Sequence, residues 1–138
     1  MALLAVTGSS AAVAGPEVAV IFKNNSTAAA VYQANDSNEM RTRVNASPKP
    51  DNEVNPRESN TYRVQGNISP DVNHATVHYT VGSKRCKFTT SYLKSRVRGV
   101  VLPKWNKSAI GSGGARCEAK ITSVNPATHA WVVEFTMR

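Results

Sequence analysis

The residues of this chain best placed to do chemistry are cations set two apart, Lys94, Arg96 and Arg98, followed by Lys104, Lys107 and Arg116 with Trp105 among them. Residues i and i+2 of an extended strand share a face and lie roughly 7 Å apart, so the first three would project as a row. That spacing is close to the charge repeat of a phosphate or sulfate polymer, and Trp105 adds a ring able to stack on a base or a sugar. The chemistry implied is recognition of an anionic polymer, nucleic acid or acidic glycan. The competing reading is an edge strand protected from aggregation by its charges, with Trp105 packed into the core.

The wider charge distribution sharpens this. Ten of the seventeen Lys and Arg residues fall between Lys84 and Lys120, where Glu118 is the sole acid of the chain's nine. That stretch carries a formal +9, while the remaining seven cations and eight acids sum to −1. Such a segment repels itself unless something negative sits beside it.

Other chemistry finds little support. His74 and His78 would lie on one strand face with α-carbons about 13 Å apart, too far to share a metal, and are expected to face solvent. His129 has no candidate ligand near it in sequence. Neither Cys86 nor Cys117 belongs to a Cys-x-x-Cys pair, which argues against zinc. The chain has no Gly-x-Ser-x-Gly elbow, and its few acids sit mostly in turn-rich segments. Gly111-Ser112-Gly113-Gly114 is followed by neither a helix nor a Gly-Lys-Ser/Thr signature and reads as a mobile loop. No enzyme activity, metal or cofactor is expected.

The elements that position these residues are strands. Apolar residues make up 41% of the 138 and charged residues 19%, and they alternate, which excludes a disordered chain and a membrane-spanning helix. Val18, Val20 and Phe22 open a strand that ends at the Asn24-Asn25-Ser26-Thr27 turn, and a short apolar run from Ala28 to Ala34 follows. Met40, Thr42, Val44 and Ala46 alternate with Arg41, Arg43 and Asn45 as a further strand, as do Tyr62, Val64, Gly66 and Ile68 with their polar neighbours. Between Ser47 and Asn60, Pro48, Pro50 and Pro56 mark a surface connection that could cross between sheets.

Two hairpins carry the cysteines. Ala75–Val81 and Cys86–Tyr92 flank a loop read as Gly82-Ser83-Lys84-Arg85, pairing Val81 with Cys86, Tyr79 with Phe88 and Val77 with Thr90. Ala115–Val124 and Thr128–Met137 flank Asn125-Pro126-Ala127. An odd loop there sets Trp131 against Ile121, Val133 against Ala119 and Phe135 against Cys117. Both cysteines then point inward, suited to an inter-sheet disulfide; two separate buried thiols are the alternative. Past Tyr92 the inward parity falls on Lys94, Arg96 and Arg98, so a bulge near Ser91–Lys94 is expected to shift the register and turn Leu93 and Val97 inward.

The fold class expected is therefore all-β: one antiparallel β-sandwich domain of Greek-key type over residues 16–138, with about 7–9 short strands, or alternatively a small β-barrel. Residues 1–15 carry no charge and end in Ala12-Val13-Ala14-Gly15, the pattern of a secretory signal cleaved after Ala14; a structural N-terminal arm is the alternative. Export to a secreted or periplasmic location would suit a disulfide. Asn-x-Ser/Thr triplets begin at Asn24, Asn25, Asn35, Asn45, Asn67 and Asn106 and predict either glycans or Asn-rich turns.

The function expected is non-enzymatic binding of an anionic polymer or an envelope surface. Alternatives are a structural coat or filament subunit that assembles as a homo-oligomer and meets nucleic acid with its basic face, and an inhibitor or immunity-type protein that docks an acidic partner. No transmembrane segment is read.

Overall fold

Where polar and apolar residues alternate, the chain builds strands with one dry face, and two such surfaces bury each other. A computed structural model describes residues 14–138. The elements are β1 (Val18–Asn24), β2 (Ala30–Gln33), α1 (Ser37–Val44), β3 (Ala46–Ser47), β4 (Glu53–Val54), β5 (Ser59–Val64), β6 (Val72–Val81), β7 (Lys84–Val97), β8 (Val100–Ser112), β9 (Cys117–Val124) and β10 (Trp131–Met137). One sheet has the order β3-β5-β1-β10-β9, and the other β4-β2-β6-β7-β8. The result is the expected sandwich, not a closed barrel. The pairing is antiparallel except between β1 and β10, which run parallel in the middle of the first sheet. The proline-rich connection does cross between sheets, leaving β3 on one and β4 on the other.

The inward faces are Val18, Val20 and Phe22 of β1, Trp131, Val133, Phe135 and Met137 of β10, Ala75, Val77 and Tyr79 of β6, and Cys86, Phe88 and Tyr92 of β7. Phe22 stacks on Tyr79 across the sheets with centroids 3.6 Å apart, and Phe88 stacks on Phe135 at 4.7 Å. Two polar pairs are matched across the same gap. The Tyr62 and Tyr79 hydroxyls lie 2.8 Å apart, and Trp131 Nε1 donates to Thr90 Oγ1 at 2.9 Å. Burial pushes both phenols well above their ordinary value, so the pair stays neutral. Cys86 of β7 and Cys117 of β9 form the inter-sheet disulfide, with α-carbons 5.7 Å apart.

The opening turn is held by a buried amide. Asn24 Nδ2 donates to the carbonyls of Ala28 and Val54, while its Oδ1 accepts from the Ser26 amide and hydroxyl. With its side chain buried and committed in this way, Asn24 is turn chemistry and not a glycan acceptor in the folded chain.

Several expectations are corrected. The segment read as a strand at Met40–Ala46 is mostly helix α1, with only Ala46 and Ser47 extended. Asp36 caps it by accepting from the Glu39 amide at 2.8 Å, and Glu39 reaches back to the Asn35 amide at 3.0 Å. The helix lies along the part of β6 that β2 leaves unpaired, where Thr42 Oγ1 accepts from the Thr76 amide at 2.9 Å. It partly covers His74 and His78, so neither faces open solvent; His78 Nδ1 lies 3.9 Å from the buried Glu39 carboxylate. β5 ends at Val64, because the Asn73 side chain takes the Val64 carbonyl and the Gly66 amide; Ile68 is left exposed.

Both hairpin registers also differ by two residues. Gly82-Ser83 is a two-residue turn that pairs Val81 with Lys84, Tyr79 with Cys86 and Val77 with Phe88. In the last hairpin Val133 meets Ile121, Phe135 meets Ala119 and Met137 meets Cys117, with a bulge at Val132/Val133. A slip of two preserves the faces, so the inward sets stand. Gly111 and Ser112 end β8 and are not part of a loop. Gly113 and Gly114 form a tight positive-φ turn in which a Cβ on Gly113 would meet the Ser83 carbonyl at 1.9 Å.

The helix cap sets a pH dependence. The Lys87 hydrogen bond at 2.6 Å, and then the Glu39 amide, hold the Asp36 carboxyl at about 2, below its ordinary 3.8. The folded-state value is the depressed one, so the stabilisation is complete above about pH 4 and is lost as pH falls toward about 2. Thermal melts across that window will show the wild type losing stability more steeply than Asp36→Asn; parallel curves would exclude the cap as the cause.

Candidate surface-binding ribbon

β7 does not bulge near Ser91–Lys94. Its pairing with β8 runs unbroken from Arg85/Ser112 to Val97/Val100, and with β6 from Val81/Lys84 to Val72/Leu93. The conflict that called for a register shift is resolved differently: β6 ends while β7 and β8 continue. The last tie to the body is the Lys94 amide donating to the Asp71 carbonyl at 2.8 Å. Beyond it, every residue from Ser95 to Leu102 is exposed. Cations on the inward parity are tolerated there because no core lies beneath them.

Arg98 and Gly99 close the ribbon, both with positive φ (51° and 78°). That is the two-residue, primed-type turn whose twist suits a hairpin, with Gly99 meeting its requirement at no steric cost. The segment read as one basic strand running into a flexible loop is therefore a two-stranded arm with Arg98 at its apex. Three residue pairs stand clear of the body, Ser95/Leu102, Arg96/Val101 and Val97/Val100, giving a projection of roughly 10 Å.

Directly paired residues share a face. One face continues the core parity past Tyr92 and carries Lys94 with Pro103, then Arg96 with Val101. The other carries Leu93 with Lys104, Ser95 with Leu102, and Val97 with Val100. Leu93, Val97, Val100 and Leu102 are 52%, 52%, 58% and 45% exposed. Leu93 and Val97 do not turn inward as expected. Sequence reasoning passed over Val100 and Leu102, although Val97-Arg98-Gly99-Val100 is a readable turn signal.

The expected site residues divide among four places. Lys94, Arg96, Arg98 and Lys104 gather on the ribbon. Lys94 has Asp71 Oδ1 at 3.9 Å, and among the described residues no carboxylate lies within ion-pair distance of Arg96, Arg98 or Lys104. Trp105 lies at the ribbon's root, partly buried, with Nε1 donating to the His129 carbonyl at 3.1 Å and its ring beside those of Tyr92 and His129. It anchors the arm to the body. His129, given no role by sequence, adopts φ 66° and places Nδ1 2.6 Å from the Tyr92 hydroxyl. Lys107 spans toward the other sheet, donating to the Ala119 carbonyl at 2.9 Å.

Arg116 follows the far end of β8, roughly 40 Å along the strand from the apex. The +9 segment is thus not one patch. Lys87 is held by Asp36 and Glu39, Lys84, Arg85 and Arg116 lie at the end opposite the ribbon, and within this segment it is the ribbon that combines clustered cations with four exposed aliphatic side chains.

No family model, curated protein or solved structure matches this chain. Among the described residues no three potential metal ligands come together, and no helix is long and apolar enough to cross a membrane.

Proposed function

We propose that this is an exported, non-enzymatic β-sandwich that binds an anionic polymer or envelope surface through the free end of the β7–β8 ribbon. The observation that carries this reading is the convergence of Lys94, Arg96, Arg98 and Lys104 on a projecting arm that bears no carboxylate of its own. Four cations within roughly 17 Å along one ribbon raise the local potential more than the same charges spread over the molecule. The rigid sandwich behind them keeps the arm extended, which lowers the ordering cost of binding.

Export is supported by the disulfide, which suits an oxidising compartment. Gly15, the residue that would follow the expected cleavage, is itself tied into the folded domain. Its amide donates to the Gly66 carbonyl at 3.1 Å, and its carbonyl accepts from Gln65 Nε2 at 2.9 Å. The rest of the expected leader or arm, residues 1–13, lies outside the described residues.

Reversing two ribbon charges tests the reading. Arg96→Glu with Arg98→Glu will elute from heparin at lower salt than wild type, and the salt slope of binding to duplex DNA will become shallower by about two. Both side chains are exposed, so the fold is unaffected. Identical elution and slope would remove the ribbon as the binding element.

A further inference from the structure

We infer that the ribbon's occupant is the surface of an anionic phospholipid bilayer. On this view Leu93, Val97, Val100 and Leu102 enter the headgroup–acyl boundary while Lys94, Arg96, Arg98 and Lys104 sit at the level of the phosphates. The inference rests on the reading of the ribbon as the binding element and names its partner.

A soluble polyanion accounts for the cations but not for their neighbours. Four large aliphatic side chains, each about half exposed, share one face of the arm, and Val72, paired with Leu93 on β6, extends that face onto the body. Leaving such a face in water is unfavourable, and on a sheet margin it invites aggregation. A nucleic acid or acidic glycan presents phosphates, sulfates and hydroxyls at its periphery and would leave the face wet. A bilayer interface takes both halves at once, apolar side chains below the phosphates and cations among them.

The dimensions agree. Interfacial elements bury their apolar face about 5–10 Å deep, and the ribbon projects roughly 10 Å. A strand that crosses a bilayer needs about 9–11 residues in the hydrocarbon, whereas only three pairs stand free here. The arm therefore docks and anchors without spanning. Arg98 at the apex is long enough to fold its guanidinium back to the phosphates as its stem is buried.

The full-length chain is tested by flotation with vesicles of phosphatidylcholine alone and of phosphatidylcholine with about one third phosphatidylglycerol, and by salt elution from heparin. Wild type is expected on the anionic vesicles and not on the zwitterionic ones. Val97→Ser with Leu102→Ser is expected to lose at least roughly tenfold in vesicle affinity while leaving heparin at the wild-type salt concentration. Arg96→Glu with Arg98→Glu is expected to lose affinity for both, by roughly fivefold per cation removed on the vesicles.

If the serine variant floats like wild type, or if wild type binds heparin but ignores anionic vesicles, the bilayer inference fails and the broader reading stands. Equal binding to both vesicle types overturns it too. If wild type binds neither heparin nor vesicles, the reading itself fails.

Discussion

Alanine at Phe88 will lower the free energy of unfolding by about 3–5 kcal/mol. Phe88 is fully buried at the centre of the sandwich, where its ring stacks on Phe135 and meets Phe22 and Tyr79 edge-on, so it touches both sheets. Neighbours that are strand side chains locked by their own ladders cannot collapse into the space left behind, which places the cost at the upper end for a core truncation. With total stabilities of about 5–15 kcal/mol for such domains, the variant will be near the limit of folding at room temperature. Urea unfolding measures it directly: the midpoint should fall with an unchanged slope. A loss under about 1 kcal/mol would mean that the aromatic stack is not the packing centre.

The second large effect is the disulfide. Reduction, or Cys86→Ala with Cys117→Ser, will cost about 3–4 kcal/mol, because the bond closes a loop across a separation of 31 residues and its loss releases that constraint on the unfolded chain. The melting temperature should drop by roughly 10–15 °C. The bond joins β7 to β9 at the end away from the ribbon. Protein that remains folded after reduction should therefore keep the anionic-surface binding we propose for the ribbon. An unchanged melting temperature would show that the sandwich holds its two sheets together without the pin.

The contrast between what was legible and what was not has physical causes. Val18, Val20 and Phe22, or Trp131, Val133 and Phe135, announce strands because one side of each is dry, and the inward cysteines follow from the same alternation. The hairpin registers slipped by two because turn lengths of two and four residues give the same faces, and burial cannot separate them. Helix α1 was invisible to periodicity because the residues it buries are Glu39 and Thr42, both polar, while Met40 and Val44 are exposed. Its only sequence signal was Asp36 followed three residues later by Glu39.

The candidate site was half legible. Its cations were evident from charge alone, but whether a strand has a neighbour is not written in that strand. Nothing in Lys94–Val97 says that β6 stops at Val72, and assuming a core along the whole of β7 led to a bulge that does not exist. The same assumption sent Leu93 and Val97 inward and missed the apolar half of the ribbon. Arg116 was grouped with the apex by closeness in sequence, although a long strand separates them in space.

The parallel pairing of β1 with β10 brings together segments from near opposite ends of the described chain. Until Trp131–Met137 is available, Val18, Val20 and Phe22 lack the strand that completes their sheet, and the sandwich stays open. Long-range pairing of this kind is slow to form. The delay suits the export we propose, because a polypeptide whose closing strand pairs late stays threadable for longer.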